Sequence, residues 1–517
     1  MPEISTFICV AGILLLLGIA SSKLSARIGV PVLLLFLVVG MLAGSEGLGR
    51  IEFEDYSLAN AIGTVALCLI LFDGGLRTSH HAIRSVWKPA AVLASLGVLI
   101  TAAVTGLAAS WIVGISVLEG LLLGSIVGST DASAVFSVLR TGGVNIRKRL
   151  AETLEVESGS NDPMAIFLTV GLIQVLTGAV APGPGLLGLF VTQLVVGSVI
   201  GLLVGYSGVW VLRHIDLDAA GLYPVMATAL ALLSFGLAAT LDGSGFLAVY
   251  VSGIVIGNQR PVFHRGILLF HDAAAWICQI VMFMTLGLLS FPSRLLDVAG
   301  VTLLIATVLI FVARPIAVFL SVSRFGFSRN ELLFLSWVGL KGAVPITLAT
   351  FPMLAEVPGA DVMFDSVFVV VLVSALIQGW TLPSAARFLR LDEPGKQPAP
   401  VTLEISSLRD VDGDIVDYYV ESGCHAADRK LRDLGLPDDV VVAMIARDHQ
   451  IIMPRGGCQI EAGDHVVVVL RPALRSQVDR IFAGAAASLE AESANEGATM
   501  LNDNGDAAVG DLEKCDE

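Results

Sequence analysis

Long apolar stretches follow one another through the first 390 residues of this chain. A helix that crosses the hydrocarbon core of a bilayer needs about 20 mostly apolar residues. We predict thirteen such windows, at 4–22, 28–45, 57–75, 89–114, 117–139, 151–179, 184–212, 219–240, 243–258, 270–290, 296–321, 331–352 and 363–386. The expected fold is therefore an all-α, multi-pass membrane domain over residues 1–390, embedded in lipid.

The composition supports a membrane protein and excludes several other classes. Of the 517 residues, 55% are hydrophobic and 15% are charged, whereas soluble domains average about a quarter charged residues. The net charge of −15 argues against a nucleic-acid partner, which favours a basic surface. The six cysteines are scattered, so we predict neither a zinc site nor a disulfide framework.

The loops between the predicted helices differ in their positive charge. The even-numbered loops carry only Arg50 and Arg294. The odd-numbered loops carry all the others, namely Lys23, Arg27, Arg77, Arg84, Lys88, Arg140, Arg147, Lys148, Arg149, Arg213, Arg260, Arg265, Arg324 and Arg329. Because cytoplasmic loops are enriched in Lys and Arg, we expect the N-terminus outside and the C-terminal part in the cytoplasm.

The composition changes after residue 390. Residues 391–400 (LDEPGKQPAP) form a Pro-rich linker. Residues 401–484 are predicted to be a small α+β cytoplasmic domain, because VVVAMIARDHQIIMP and DHVVVVL are typical of short strands. Residues 485–517 contain too little apolar material to offset the entropy of ordering, so we expect a disordered acidic tail.

One predicted membrane helix contains an unusual polar stretch, VESGSNDPMAIF at 156–167. Charged residues inside membrane helices are costly and mark functional sites or partners. Residues four apart share a helix face, so Glu157 lies beside Asn161 and Ser158 lies beside Asp162. The helix therefore presents two carboxylates, an amide and a hydroxyl along one polar stripe.

Two other windows, the fifth and the twelfth, are predicted to be broken helices. GSIVGSTDASAVF at 124–136 has a polar centre that contains Thr130 and Asp131, and WVGLKGAVPITLA at 337–349 has glycines around Lys341. Interrupted helices at corresponding positions indicate an inverted-repeat transporter with its site at the midplane. We expect Asp131 and Lys341 to balance the partial charges of the half-helix ends.

These residues predict an ion-binding site. The Asp162 carboxylate, the Ser158 hydroxyl and the Thr130 carbonyl offer hard oxygen ligands for an alkali cation. A carboxylate held away from water also retains a proton more readily. One carboxylate that binds either a proton or a cation suits an antiporter. Arg314 stays charged and needs a buried anion, for which we choose Glu157, since an unpaired buried charge is expensive.

The same motifs resemble a known family. In chain order they are LILFDGGL (69–76), GSTDASAVFSVL (128–139), ESGSNDPMAIF (157–167), ARP (313–315) and GLKGAVP (339–345). Together they resemble the bacterial monovalent cation:proton antiporters of the NhaP and sodium/proton exchanger type, over about residues 1–390. The resemblance implies a homodimer in the cytoplasmic membrane, with elevator-like alternating access.

The resemblance also implies roles for individual residues. By motif match, Asp162 would carry the cation and the proton, and Asn161 would be its structural partner. Ser158 and the Thr130 backbone would be ligands, and Asp73 would line the site. The Asn-Asp form of the motif implies electroneutral, one-for-one exchange.

Two positions depart from the family pattern, and each bears on selectivity. Position 341 is Lys where the family usually has Arg, and these two side chains are not equivalent. Position 73 is Asp where Glu is common, which shortens the reach of the carboxylate.

The soluble module resembles the TrkA-C domain, the C-terminal lobe of potassium-conductance regulators, through IARDHQIIMPRGGCQIEAGDHVVVV at 445–469. That domain pairs as a dimer and often binds small ligands or nucleotides. The combination resembles potassium/proton antiporters linked to cell-volume control, which favours K⁺ by analogy.

Alternatives remain open at this stage. A Na⁺(Li⁺)/H⁺ antiporter fits the same site and is the nearest rival. A gated cation channel is disfavoured because no TVGYG-like filter occurs in the sequence. An enzyme or a receptor is disfavoured because the soluble part shows no nucleophile–base pair or metal cluster. We expect no cofactor besides the transported K⁺ or Na⁺ and H⁺, and a small ligand on the soluble module.

Overall fold

The structure, a computed structural model, describes nine stretches of the chain, namely 4–28, 31–181, 183–259, 261–393, 414–420, 424–437, 439–447, 450–471 and 474–482. The chain divides into two compact units, 1–393 and 394–517. The predicted acidic tail and the predicted linker beyond residue 393 lie outside the described residues.

The described part of the first unit is almost entirely helical. Its helices are α1 (Ile4–Ile28), α2 (Val32–Ala43), α3 (Tyr56–Arg77), α4 (His80–Val92), α5 (Val98–Val113), α6 (Val117–Ile126), α7 (Ala132–Thr141), α8 (Lys148–Leu176), α9 (Pro184–His214), α10 (Leu222–Thr240), α11 (Gly245–Gln259), α12 (His264–Leu288), α13 (Pro292–Val308), α14 (Arg314–Val322), α15 (Arg329–Trp337), α16 (Ala343–Leu354) and α17 (Ala360–Phe388). Short π-helical turns, Leu93–Gly97 and Leu309–Ala313, connect α4 to α5 and α13 to α14.

Many of these helices are suited to lipid. Among the described residues, eight helical stretches are long and apolar enough to cross a membrane, at Ile8–Ser25, Tyr56–Arg77, His80–Val113, Gly185–His214, Leu222–Thr240, His264–Leu288, Pro292–Phe325 and Ala360–Phe388. Each of the thirteen predicted windows contains at least one helix. The first unit is therefore a mostly helical, multi-pass membrane domain, as predicted.

Small residues let several helices approach closely. A Cβ placed on Gly124 of α6 would overlap the Ala102 carbonyl of α5, and a Cβ on Gly257 of α11 would overlap the Leu76 carbonyl of α3. Close backbone approach through small residues is a common way in which membrane helices pack, because lipid supplies no hydrophobic drive between them. These glycines therefore allow close packing of the α5–α6 and α3–α11 helix pairs.

Two short non-helical segments interrupt the bundle. Segment one (127–131) separates α6 from α7, and segment two (338–342) separates α15 from α16. They meet directly, because the Asp131 backbone N–H donates a hydrogen bond to the Leu340 carbonyl at 2.9 Å. Two stretches of non-helical backbone that are about 200 positions apart in the sequence are thus in contact within the bundle.

The second unit is a small antiparallel sheet domain. Its strands are β1 (Asp414–Tyr419), β2 (Val441–Arg447), β3 (Gln450–Ile452) and β4 (His465–Leu470), in the order β1-β4-β2-β3. Helix α18 (Arg475–Phe482) follows the sheet, and its Phe482 stacks on Tyr418 at 5.2 Å between ring centroids. The strands predicted from the Val- and Ile-rich sequences are present in this domain.

An ion pair links the end of β2 to the residue that precedes β4. Arg447 donates hydrogen bonds to both oxygens of the buried Asp464 carboxylate, at 2.7 and 2.8 Å. Those hydrogen bonds raise the pKa of Arg447 above its ordinary value. A buried carboxylate needs such a partner, since removing it would leave an uncompensated charge.

Candidate functional site

A cavity of about 800 Å³ lies within the membrane domain. Its walls come from α2, α3, α7, α8, α11, α12 and α16 and from both non-helical segments. It extends from Asp162, near the middle of α8, to Arg77 and Arg140, near the ends of α3 and α7. The cavity therefore connects the predicted polar stripe with helix ends that carry positive charge.

Helix α8 supplies the carboxylate and the hydroxyl that were predicted to bind ions. Both Ser158 and Asp162 line the cavity, one helical turn apart, as the i, i+4 spacing predicts. Pro163 lies within the helix immediately after Asp162. A proline lacks an N–H and leaves a carbonyl without its usual partner one turn earlier, which adds polarity to this part of α8.

Segment one is attached to α8 by a network of hydrogen bonds. Ser158 Oγ donates to the Thr130 carbonyl at 2.9 Å and accepts from the Ala132 N–H at 3.0 Å. Asn161 Nδ2 donates to Thr130 Oγ1 at 2.7 Å, and both residues are buried. The structure thus brings Ser158, Asn161 and Thr130 together, with Asn161 in a supporting position.

The two predicted broken-helix charges lie where the two segments meet. The Asp131 carboxylate accepts a hydrogen bond from the Ala134 N–H at 3.0 Å and so caps α7. Lys341 Nζ, which is buried, donates to the Ser129 carbonyl at 2.8 Å. An anion at a helix N-terminus and a cation near free carbonyls both match the partial charges of the backbone.

Glu157 and Arg314 form a buried ion pair. Arg314 Nη1 and Nη2 donate to the two Glu157 oxygens at 2.8 and 3.1 Å. Both side chains are buried, and a two-bond fork of this kind is the strong form of a charged hydrogen bond. The polar stripe of α8 therefore contains one carboxylate that is neutralised within the protein, Glu157, and one that faces the cavity, Asp162.

Asp73 lines the same cavity but has an additional partner. Arg77 Nε donates to both Asp73 oxygens, at 2.9 and 3.0 Å, and Arg77 Nη2 donates to Asp272 of α12 at 2.7 Å. The sequence reasoning placed Asp73 at the site without its partners. The spacing of four residues between Asp73 and Arg77 could have predicted their contact. The neighbouring sequence contained no signal for the contact between Arg77 and Asp272.

Two further polar residues were missed from the sequence, Ser374 and Gln378 of α17. Gln378 Nε2 donates to the Trp337 carbonyl at 2.8 Å, and Ser374 Oγ donates to Gln378 Oε1 at 2.7 Å. The Lys341 N–H donates to Ser374 Oγ at 3.3 Å. This pair satisfies the Lys341 N–H of segment two and the carbonyl at the end of α15. Its i, i+4 spacing on an apolar helix was the signal that could have identified it.

The fold and the site define a class, the ion-transporting membrane proteins: a multi-pass helical domain gathers carboxylates, hydroxyls and free backbone groups around an internal cavity. The family described as sodium/hydrogen exchanger, transmembrane, matches residues 12–387. The TrkA-C domain family matches residues 415–483. The chain belongs to the sodium/hydrogen exchanger family and carries a C-terminal TrkA-C domain.

Similar proteins include two curated relatives. Over 489 residues the chain is 42% identical to the K(+)/H(+) antiporter NhaP of Alkalimonas amylolytica, which covers 94% of this chain and 85% of the relative. Over 471 residues it is 40% identical to the K(+)/H(+) antiporter NhaP2 of Shewanella oneidensis, which covers 90% of this chain and 81% of the relative. Both comparisons include the membrane domain and the sheet domain.

A solved structure shares the fold. The sodium proton antiporter MjNhaP1 from Methanocaldococcus jannaschii superposes with a TM-score of 0.66 at 23% sequence identity. The superposition covers 75% of this chain and 99% of that one. At this identity the likeness concerns the fold alone.

Proposed function

We propose that this protein exchanges K⁺ for H⁺ across a bacterial cytoplasmic membrane. The main support for the proposal is the position of the Asp162 carboxylate, which lines the cavity together with Ser158 and segment one. The choice of K⁺ is supported by the relatives named K(+)/H(+) antiporters. The TrkA-C domain agrees with the resemblance to potassium/proton antiporters linked to cell-volume control. Na⁺ (or Li⁺) is the second candidate, because the same oxygen ligands suit it.

The exchange follows from competition at one carboxylate. The ionised Asp162 attracts a cation, which the Ser158 hydroxyl and the Thr130 carbonyl also coordinate. The protonated Asp162 has lost that charge and releases the cation. Glu157 is paired with Arg314 and keeps that partner in this proposal, so that Asp162 is the carboxylate that changes its partner. One cation is therefore exchanged for one proton, and the transport is electroneutral.

The finer architecture belongs to the same proposal. Thirteen spans in inverted repeats, with α6/α7 and α15/α16 as the two broken helices, place the N-terminus outside and the sheet domain in the cytoplasm. The cavity reaches Arg77 and Arg140, at the ends of α3 and α7 that border the predicted basic loops, and this supports an opening toward the cytoplasm. The protein acts as a homodimer in this proposal, and the TrkA-C domain regulates it by binding a small ligand.

The proposal is tested with purified protein in proteoliposomes that carry a pH gradient. K⁺, Rb⁺, Na⁺ and Li⁺ are added in turn, with the membrane potential either free or clamped at zero. We expect K⁺ and Rb⁺ to collapse the gradient. For each ion the rate should be the same with the potential free and with it clamped, since an electroneutral exchanger does not respond to the potential.

Other outcomes separate the alternatives. Collapse by Na⁺ and Li⁺ alone would make the protein a sodium/proton antiporter with the same site. A rate that changes with the clamp would rule out one-for-one exchange. Cation currents without movement of protons would indicate a channel and overturn the proposal.

A further inference from the structure

Ser129 has a buried hydroxyl that the mechanism above does not use. The residue belongs to segment one, is 1% exposed and lines the cavity. Its hydroxyl lies beside the Asp162 carboxylate. Ser129 Oγ nevertheless has no partner with hydrogen-bond geometry in the part of the chain that the structure describes. A buried polar group without a partner is costly and therefore requires an explanation.

The neighbouring oxygen atoms each already have a partner within the protein, although Ser158 Oγ and the Thr130 carbonyl keep one lone pair each for a cation. Ser158 Oγ donates its single proton to the Thr130 carbonyl and accepts from the Ala132 N–H. Thr130 Oγ1 accepts from Asn161. The carbonyl of Ser129 itself accepts from Lys341 Nζ. The Ser129 hydroxyl thus differs from its neighbours. Among the described residues it lies near the Asp162 carboxylate without hydrogen-bond geometry, and no donor occupies either of its lone pairs.

We propose that Ser129 Oγ is a direct ligand of the transported cation, together with the Asp162 carboxylate. This inference rests on the proposed function of the site. With a cation bound, a lone pair of Ser129 Oγ faces the ion and its proton points to an Asp162 oxygen. With a proton bound, the protonated Asp162 donates to the same lone pair. The hydroxyl therefore has a partner both when the cation is bound and when the proton is bound.

The test compares three variants of the full chain in proteoliposomes. Ser129→Ala removes the hydroxyl, and Ser129→Thr keeps it. Ser125→Ala is the matched control, because Ser125 is equally buried one turn earlier on α6 but its hydroxyl is satisfied by the Leu121 carbonyl at 2.8 Å. The readouts are the apparent KM for K⁺, the maximal rate and the shift of the melting temperature by K⁺.

We expect Ser129→Ala to raise the apparent KM for K⁺ about tenfold. This is the change expected when one interaction with the net strength of a hydrogen bond is lost. Its melting temperature without K⁺ should stay near wild type, while the K⁺-induced shift shrinks. Ser129→Thr should restore the wild-type KM, and Ser125→Ala should leave it unchanged. A residue with a purely structural role would instead lower the melting temperature and the maximal rate without a selective change in KM.

Two results would overturn the inference. One is a Ser129→Ala variant with wild-type KM and wild-type K⁺-induced stabilisation. The other is an increase in KM that Ser125→Ala reproduces, since a general loosening of α6 would then explain it. Failure of the proposed function is distinguishable, because wild-type protein itself would then show no cation-dependent proton exchange.

Discussion

The hydroxyl end of Tyr250 lies directly against the backbone of Gly159. A Cβ placed on Gly159 would overlap Tyr250 Oη, and that hydroxyl is 3.3 Å from Thr78 Oγ1. Tyr250 belongs to α11 and is buried, whereas Gly159 belongs to α8, between Ser158 and Asp162. Tyr250 of α11 therefore packs against α8 at the candidate ion site.

This contact predicts that Gly159→Ala loses most of the exchange activity. The added methyl group must displace Tyr250 or α8, and overpacking of this kind costs about 1–3 kcal/mol. Tyr250→Leu in the same chain removes the overlapping atoms and should restore part of the rate. Proton flux in proteoliposomes measures both. Gly236→Ala is the control, because a Cβ on this helical glycine meets nothing within 4 Å. An active Gly159→Ala protein would contradict the prediction.

Asp162→Asn should abolish exchange while the protein still folds and inserts. The amide keeps the size of the side chain but carries neither the negative charge that attracts a cation nor a proton that can be released. The measurement is cation-dependent proton flux, with size-exclusion chromatography of the same preparation as the check on folding. Asp297→Asn, an exposed position on α13, makes the same chemical change away from the cavity. Wild-type rates in Asp162→Asn would refute the mechanism.

Glu157→Ala should lower the yield of folded protein more than it changes ion selectivity. It leaves the buried Arg314 without its anion, and breaking a buried pair costs about 3–5 kcal/mol. The yield of monodisperse protein after extraction and its melting temperature are the readouts. Arg147→Ala is the contrasting variant, because its 3.4 Å pair with Glu331 is half exposed and such pairs contribute about 0–1 kcal/mol. Equal yields from the two variants would argue against a structural role for the Glu157–Arg314 pair.

Gln378→Leu should destabilise segment two and slow exchange. The substitution removes the donor to the Trp337 carbonyl, and a buried group left unpaired costs about 1–3 kcal/mol. It also removes one acceptor of Ser374 Oγ, which keeps the Gly339 carbonyl at 3.3 Å. A lower melting temperature together with a lower proton flux is the expected result. Gln193→Leu on α9 provides the same chemical change at a partly exposed position. A variant that melts and transports like wild type would show that α17 does not support this segment.

Local sequence was sufficient for the secondary structure and for much of the candidate site. Each apolar window contains a helix because about 20 apolar residues in lipid must satisfy their own backbone hydrogen bonds. The i, i+4 spacing in 156–167 predicted that Ser158 and Asp162 share one helix face, because the helical period depends on near neighbours alone. Few charged residues lie within the predicted helices, and an unpaired buried charge is costly, so Glu157 was the predicted partner of Arg314.

Contacts between distant parts of the chain were decided by the packing of the bundle. Ser374 and Gln378 support segment two, Asp272 joins Arg77, and Tyr250 rests on Gly159. The free hydroxyl of Ser129 is likewise visible only once its neighbours have been paired with one another. The physical reason is that hydrogen-bond satisfaction and steric fit depend on which helices become neighbours, and helical periodicity carries no information about that choice.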